Sequence, residues 1–551
     1  MVFTSVNKIY QEAFKKHWDR PAISNYQGMT LHYRDLAERV AKMHIMYEEC
    51  GLEKGDKVAI CSRNQANWAV AFFSALTYGA VPVPLLHEFK SSNIHHLVNH
   101  SEAKILYVDD VIWEGLSESE MPDLHAIIQV NTFKLLYASD DKIVNAREHL
   151  NELFGRRYPD AFTPECLNYY EDAADELAII NYTSGTSGFS KGVMVPYRAV
   201  LSNLQFAQSV LPGLDHTKNI VSMLPSAHMY GLMFELMYEL SVGAHVHFLS
   251  RVPSPKIIMK ALSEVKPYLV IAVPLVIEKI YKTKVKPVIE KEGMRFLMKL
   301  PVISQVVKDK IKAELVNAFG GEFYEVIIGG AAFNKEVEAF FKEIGFPFTV
   351  GYGMTECAPI ITYDDWNVEK LYSCGKAAPN MEIKIDSADP ANVPGEILVK
   401  GANVFLGYYK NEEATDAVFT TDGWFRTGDM GIVDSEGSLF IKGRSKCMIL
   451  GPSGQNIYPE EVETVINSQP YVVDSLVVED DGGLTALIYP DFQQGAKDGM
   501  SQDKFIKYIE ATLPELNKEL PNYARLKKIE VMSEDFERTP KKSIKRYLYQ
   551  R

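Results

Sequence analysis

Apolar residues along this chain switch repeatedly between two spacings. Leu36-Ala-Glu-Arg-Val-Ala-Lys-Met-His-Ile-Met46 repeats its apolar positions at helical intervals. Lys57-Val-Ala-Ile-Cys61, which follows the turn at Gly55-Asp56, is a short apolar run that predicts a strand. The longest apolar run, from Trp68 to Leu86, carries Gly79, Pro82 and Pro84 in its second half. A helix cannot cross those residues intact, so the run predicts a buried helix over 68–78 and a buried strand over 81–85 rather than a membrane span. Strands are predicted again over 104–108, 177–180, 220–224, 245–248, 268–273 and 324–328. Strands alternating with helical segments in this way predict a parallel α/β sheet.

The pattern then changes character. Residues 276–319 are rich in Lys and Glu at helical periodicity, which predicts an amphipathic helical hairpin covering the sheet. From Met381 onward, short strands at 381–385, 395–400, 430–433 and 438–442 are punctuated by Gly and Pro, predicting a small β-subdomain. After about residue 446 the reading returns to mixed α/β, with strands at 475–478 and 484–489 and a helix at 503–513.

Composition narrows the classes of function. A net charge of −14 over 551 residues argues against a broad nucleic-acid-binding surface, while leaving room for local basic pockets. Six scattered cysteines include no Cys-x-x-Cys pair, which argues against a zinc site or a disulfide scaffold and fits the reducing cytoplasm. The first residues, Met1-Val-Phe-Thr-Ser-Val-Asn-Lys8, lack the basic and apolar regions of a signal peptide. The expected protein is soluble and cytoplasmic. Peripheral membrane contact stays open, although no basic amphipathic helix argues clearly for it.

Tyr182-Thr-Ser-Gly-Thr-Ser-Gly-Phe-Ser-Lys-Gly192 is the most informative stretch. Gly185 and Gly188 let backbone N–H groups approach an anion, Thr183, Ser184, Thr186 and Ser187 add hydroxyl donors, and Lys191 adds charge. Together these groups suit a polyphosphate. The stretch is not the common P-loop, which needs Gly-x-x-x-x-Gly-Lys-Ser/Thr.

This stretch is followed, in order, by Gly351-Tyr-Gly-Met-Thr-Glu356, Trp424-Phe-Arg-Thr-Gly-Asp429 and Gly443-Arg-Ser-Lys446. In order and spacing the four motifs resemble those of the adenylate-forming (AMP-binding) superfamily, over nearly the whole chain. The resemblance implies a large N-terminal domain over 1–445, with parallel α/β sheets and a β-subdomain that bind ATP and the acyl group. It also implies a small, mobile α+β domain over 446–551, hinged at Lys446. ATP, Mg²⁺ and coenzyme A are the implied small molecules. By resemblance, Thr183–Gly188 and Lys191 hold the β- and γ-phosphates, Gly329, Gly330 and Ala331 lie against adenine, and Gly351 and Gly353 allow a tight turn. Tyr352 offers a flat face to adenine, Thr355 faces the α-phosphate, and Glu356 with Thr183 holds the metal. Asp429 takes the ribose hydroxyls, Arg444 complements ribose and phosphates, and His228 in Leu224-Pro-Ser-Ala-His-Met-Tyr-Gly231 orients the acyl group.

Two departures from the family pattern stand out. Ser190 occupies the position of a usual proline. Aligning Thr539 and Arg546 puts Ser543 where the adenylating lysine belongs, which makes Lys542 the candidate for that charge. The 276–319 insertion, together with Gly353-Met-Thr-Glu-Cys-Ala-Pro359 and Gly454-Gln-Asn-Ile-Tyr-Pro459, most resembles long-chain fatty acyl-CoA synthetases. Tyr230 stands where amino-acid-activating relatives carry an Asp, which leans against an amino-acid substrate. The implied activity is ATP-dependent joining of a fatty acid to CoA. Two alternatives are kept: a fatty acyl-AMP ligase loading an acyl carrier protein, and a catalytically impaired nucleotide-binding protein.

Overall fold

The computed structural model describes residues 4–183, 190–249, 255–291, 293–294, 301–450, 456–480, 483–539 and 543–550. Among them, a five-stranded sheet runs in the order Val81–Leu85, Lys57–Cys61, Ala103–Val108, Ala126–Gln129, Leu135–Ala138, and only the last pairing is antiparallel. A seven-stranded sheet runs Phe348–Val350, Glu325–Ile328, Leu269–Ala272, Asn219–Ser222, His245–Phe248, Pro21–Asn25, Thr30–His32, again parallel up to its last pairing. Central strands of parallel sheets are covered on both faces, which is why they read as continuous apolar runs.

The run beginning at Trp68 folds as the helix Ala66–Tyr78 followed by the strand Val81–Leu85. Trp68, Phe72 and Phe73 are fully buried, so this helix shows no polar face in its sequence. Gly79 ends it in the left-handed region at φ +86°, where an added Cβ would sit 2.7 Å from the Tyr170 ring. Burying each such aromatic side chain contributes roughly 1.5–3 kcal/mol.

In the 276–319 region the structure forms the helix Pro274–Ile280, a wider π turn over Tyr281–Val285, the short helix Lys286–Ile289 and the helix Pro301–Ala318. Ile277, Ile280, Tyr281, Ile311, Leu315 and Phe319 pack with Val270, Ala272 and Ile328 of the seven-stranded sheet, so these helices do cover it. The β-subdomain is an antiparallel meander of Met381–Asp386, Gly395–Gly401, Phe425–Val433 and Leu439–Arg444.

Beyond it, the strands Val472–Asp480, Gly483–Pro490 and Leu526–Val531 form a separate sheet. Its core, which includes Ile457, Ile466, Ile488, Phe505 and Ile529, is distinct from those of the larger sheets. One expectation is corrected here. The helix predicted over 503–513 ends at Glu510, and a second helix starts at Leu513. Pro514 lacks an amide hydrogen and suits the first turn of a new helix, whereas the apolar spacing runs across the break unchanged. Among the described residues no helix is long and apolar enough to cross a membrane.

Glu239, on the helical segment Tyr238–Ser241 of the larger region, is fully buried, and neither carboxyl oxygen has a hydrogen-bond partner. Burial pushes its pKa up to about 8, whereas an unfolded glutamate titrates near about 4.3. The stability contributed by the neutral carboxyl is therefore complete below the unfolded value and is lost as pH rises through about 8. Thermal unfolding followed across that window is expected to show a falling midpoint, and Glu239→Gln is expected to flatten the fall. An unchanged slope in the variant would refute this assignment.

Candidate active site

The phosphate stretch is flanked by two strands, and only the first of them was predicted. Leu177–Thr183 and Lys191–Pro196 pair antiparallel, with Thr183 opposite Lys191. The predicted strand end at 180 is thus extended to Thr183, because the returning strand supplies hydrogen-bond partners. Ser184, Gly185, Thr186, Ser187 and Gly188 lie outside the described residues. The Lys191 ammonium sits 4.5 Å from the centroid of the Tyr408 ring, a cation–π arrangement. The Tyr408 hydroxyl donates to Glu356 Oε1 at 3.0 Å, so a positive charge, a phenol and a carboxylate form one chain of contacts. Burial and the Glu356 carboxylate both push the Tyr408 pKa up, which keeps the phenol a donor.

Glu356 is buried on the short 3-10 turn Thr355–Cys357. The turn is held from beneath by Asn203, whose amide nitrogen donates to Cys357 O at 3.3 Å while its oxygen accepts from Ile360 N at 3.1 Å. Gly353 is required there, since an added Cβ would lie 2.2 Å from Pro359 O. Thr355 stays half-exposed beside it.

Tyr352 is 8% exposed, and its hydroxyl donates to Asp429 Oδ2 at 2.7 Å. The other oxygen of Asp429 is 3.1 Å from Arg444 Nε, because the pairing of Phe425–Val433 with Leu439–Arg444 sets Asp429 opposite Arg444. Asp429 is nearly buried while Arg444 is largely exposed, and the Asp429 carboxylate raises the Arg444 pKa further. Each oxygen of Asp429 keeps a lone pair for a further donor such as a ribose hydroxyl. Lys446 follows on the 3-10 turn Ser445–Cys447.

Gly329 does not present bare backbone. Tyr230 packs on it, its hydroxyl donating to Ile327 O at 3.1 Å and its ring Cζ lying 3.3 Å from where a Cβ would stand. Gly330, at φ +87°, and Ala331 are the exposed part of that loop. The Cβ position of Gly329 also lies 3.5 Å from Gly351 O, so this loop abuts the Gly351–Glu356 turn. His228 caps the helix Met229–Leu232 two residues before Tyr230, and its amide donates to Pro225 O at 2.9 Å.

The structure thus brings together Thr183, Lys191, His228, Gly329, Gly351, Tyr352, Thr355, Glu356, Asp429 and Arg444. Lys541 and Lys542 lie outside the described residues, and Ser543 is exposed. Lys545 pairs with Glu537 at 3.1 Å, and Arg546 pairs with the buried Glu463. Neither is available as a loose cation.

Sequence reasoning missed Tyr408 and Glu235. The first is announced only by the aromatic run after Gly407. The second was visible as a lone carboxylate within Gly231-Leu-Met-Phe-Glu-Leu-Met237, where a buried charge demands partners.

Comparison with known proteins extends the picture. The chain is 27% identical over 545 residues to the long-chain-fatty-acid–CoA ligase FadD15 of Mycobacterium bovis, covering 90% of this chain and 86% of that protein. It is 27% identical over 497 residues to the long-chain-fatty-acid–CoA ligase of Escherichia coli, covering 86% and 83% of the two chains. Among solved structures, ATP-bound MatB from Rhodopseudomonas palustris superposes with a TM-score of 0.78 at 23% identity, covering 99% and 98% of the two chains. O-succinylbenzoate CoA synthetase from Bacillus subtilis, solved with ATP and magnesium ion, gives 0.75 at 23% identity, covering 98% of each. A C-terminal domain of AMP-binding enzymes matches residues 448–551. With the AMP-binding enzyme pattern itself spanning residues 10–409, the chain belongs to the AMP-binding enzyme family.

Proposed function

We propose that this protein is an ATP-dependent fatty acid–CoA ligase that works in two half-reactions. A carboxylate oxygen of the acid attacks the α-phosphorus of ATP. The bond from that phosphorus to the β-phosphate's bridging oxygen breaks, and pyrophosphate leaves. The CoA thiol then loses its proton, its sulfur attacks the acyl carbon of acyl-AMP, and AMP leaves with the electron pair of the broken acyl–oxygen bond.

The observation that carries this reading is the Lys191–Tyr408–Glu356 chain lying next to the Tyr352–Asp429–Arg444 group. One part offers charge and hydroxyls to phosphates, and the other offers paired acceptors and a guanidinium to a ribose. The fatty acid as substrate is supported by the names of the relatives, matched over most of both chains, and by an acyl-facing helix start at His228 with no carboxylate at Tyr230.

Glu356 and the Thr183 hydroxyl are hard oxygen donors, and no three His, Cys, Asp or Glu side chains converge among the described residues. Such a sparse set fits Mg²⁺, which keeps waters and takes the rest of its ligands from phosphates. When bound there it would offset charge on the triphosphate. Tyr408 fixes the Glu356 carboxylate in one orientation and leaves its second oxygen for that task.

The same reading includes a domain boundary at 445/446 and a rotating C-terminal domain, supported by the separate core of that region. Free CoA is the favoured acceptor, with carrier-protein pantetheine the competing one, and unpaired cysteines fit a cytoplasmic setting. Ser543 supports a second reading, in which adenylation is impaired and nucleotide binding remains.

A hydroxamate assay with acids from acetate to palmitate is expected to show turnover favouring long chains, and no turnover with any acid would favour the second reading. Glu356→Gln is expected to slow pyrophosphate release roughly 10²–10³-fold. Tyr408→Phe, which removes one hydrogen bond to a charged group, is expected to weaken Mg²⁺–ATP affinity roughly ten-fold by calorimetry. Lys542→Ala is expected to abolish most pyrophosphate release. If it leaves the rate intact while Ser543→Lys raises it strongly, the protein is an impaired homologue.

A further inference from the structure

The turn from Met223 to His228 is held in an unusual way. Leu224, Ser226 and Ala227 are buried, and Pro225 has no amide hydrogen to give. Three side chains, two of them from segments distant in sequence, satisfy polar groups of the turn's backbone. Glu235, fully buried in the π turn Met233–Met237, accepts on one oxygen from Met223 N at 3.1 Å, Leu224 N at 3.0 Å and the Ser222 hydroxyl at 3.0 Å. Asn64 donates to Leu224 O at 2.5 Å and accepts from Ser226 N at 2.8 Å. Asn181, with no solvent exposure, donates to Ala227 O at 2.9 Å. That last partner is a carbonyl, which settles which end of the amide faces it.

Asn181 stands two residues before Thr183 on the strand Leu177–Thr183, and Ala227 stands one residue before His228. One hydrogen bond therefore ties the strand that delivers the phosphate stretch to the turn that delivers the acyl-facing histidine. A buried turn could satisfy its polar groups with ordered water. Side chains that reach across 46 and 162 residues of sequence instead fix its position relative to the rest of the site.

We infer that Asn181, with Asn64 and Glu235, acts as a positioning group that holds the carboxylate side and the triphosphate side of the site as one rigid body. The inference rests on the ligase reading above and deepens it. The arrangement matters only while the two substrates are separate. A nucleophile and an electrophile held in a near-attack pose gain much of their rate from alignment, and a displacement of about 1 Å can cost about 10²-fold. Once acyl and phosphate are joined in acyl-AMP, the covalent bond keeps them aligned and the clasp has no more to do.

The test measures the two half-reactions separately. Asn181→Ala is expected to slow pyrophosphate release from ATP and fatty acid by roughly 10–100-fold. Thioester formation from chemically prepared acyl-AMP and CoA is expected to stay close to the wild-type rate. Mg²⁺–ATP affinity by calorimetry and the unfolding midpoint serve as controls for the fold. Asn64→Ala, a change in a half-buried loop residue, is expected to give the same selective defect if Asn181→Ala does not fold. Glu235→Gln, which keeps an acceptor oxygen, is expected to retain more adenylation than Glu235→Ala. Equal loss in both half-reactions, or no loss in the first, overturns the inference while leaving the ligase reading standing. A wild-type protein that performs neither half-reaction overturns both.

Discussion

The antiparallel pairing of Leu177–Thr183 with Lys191–Pro196 is the interaction on which the rest of the site depends. It fixes both ends of the phosphate stretch, sets Thr183 opposite Lys191, and lines the second strand up with the segment around Tyr408. Tyr409 N donates to Gly192 O at 2.7 Å and Leu406 N to Met194 O at 2.9 Å, so Tyr408 is placed by backbone bonds and not by its own side chain. From there the Tyr408 hydroxyl reaches Glu356. A carboxylate meeting a triphosphate is an encounter of two anions, and it needs donors and cations that do not reorganise when charge develops. Side chains placed by paired strands meet that requirement better than side chains on unsupported loops.

Several carboxyl groups are buried in the larger region. Glu235, Glu239, Glu325 and Glu369 all lie at 4% exposure or less, and burial raises the pKa of each. Where such a group accepts from backbone amides it acts as a fixed peg. Glu235 does so for Met223 and Leu224, and Glu369 for Val350, the residue before Gly351. Burying an acid is costly unless hydrogen bonds compensate, and here the compensation falls on loops that carry function. Glu239 has no such bonds, so it contributes pH-dependent stability without acting as a peg.

The C-terminal region keeps its charges largely to itself. Arg546 pairs with Glu463, Arg538 with Asp474 at 2.7 Å and Lys545 with Glu537. Across to the larger region, Lys282 donates to Asn467 O at 3.2 Å and Lys442 pairs with Glu461 at 3.4 Å. Of these, the half-exposed Lys442–Glu461 pair is individually weak.

How much of this was legible in the chain depended on the range of the interactions involved. Parallel strands and the enclosed helix from Ala66 to Tyr78 follow from local apolar spacing, because burial on both faces leaves a one-dimensional trace. The Thr183–Lys191, Gly351–Glu356 and Asp429–Arg444 groups were legible as motifs, since each is a short run whose residue types match one chemical task. The sequence alone could not reveal that Tyr408 orients Glu356, that Tyr230 covers Gly329, or that Asn64, Asn181 and Glu235 clasp one turn. Most of those contacts join residues 46 to 162 positions apart, and those of Glu235, 11 to 13 positions apart, form only because the chain folds back on itself at the turn. Local spacing therefore determined the elements and the chemical inventory. Long-range packing alone decided which donor faces which acceptor, because hydrogen-bond geometry is set by folded distance and not by order along the chain.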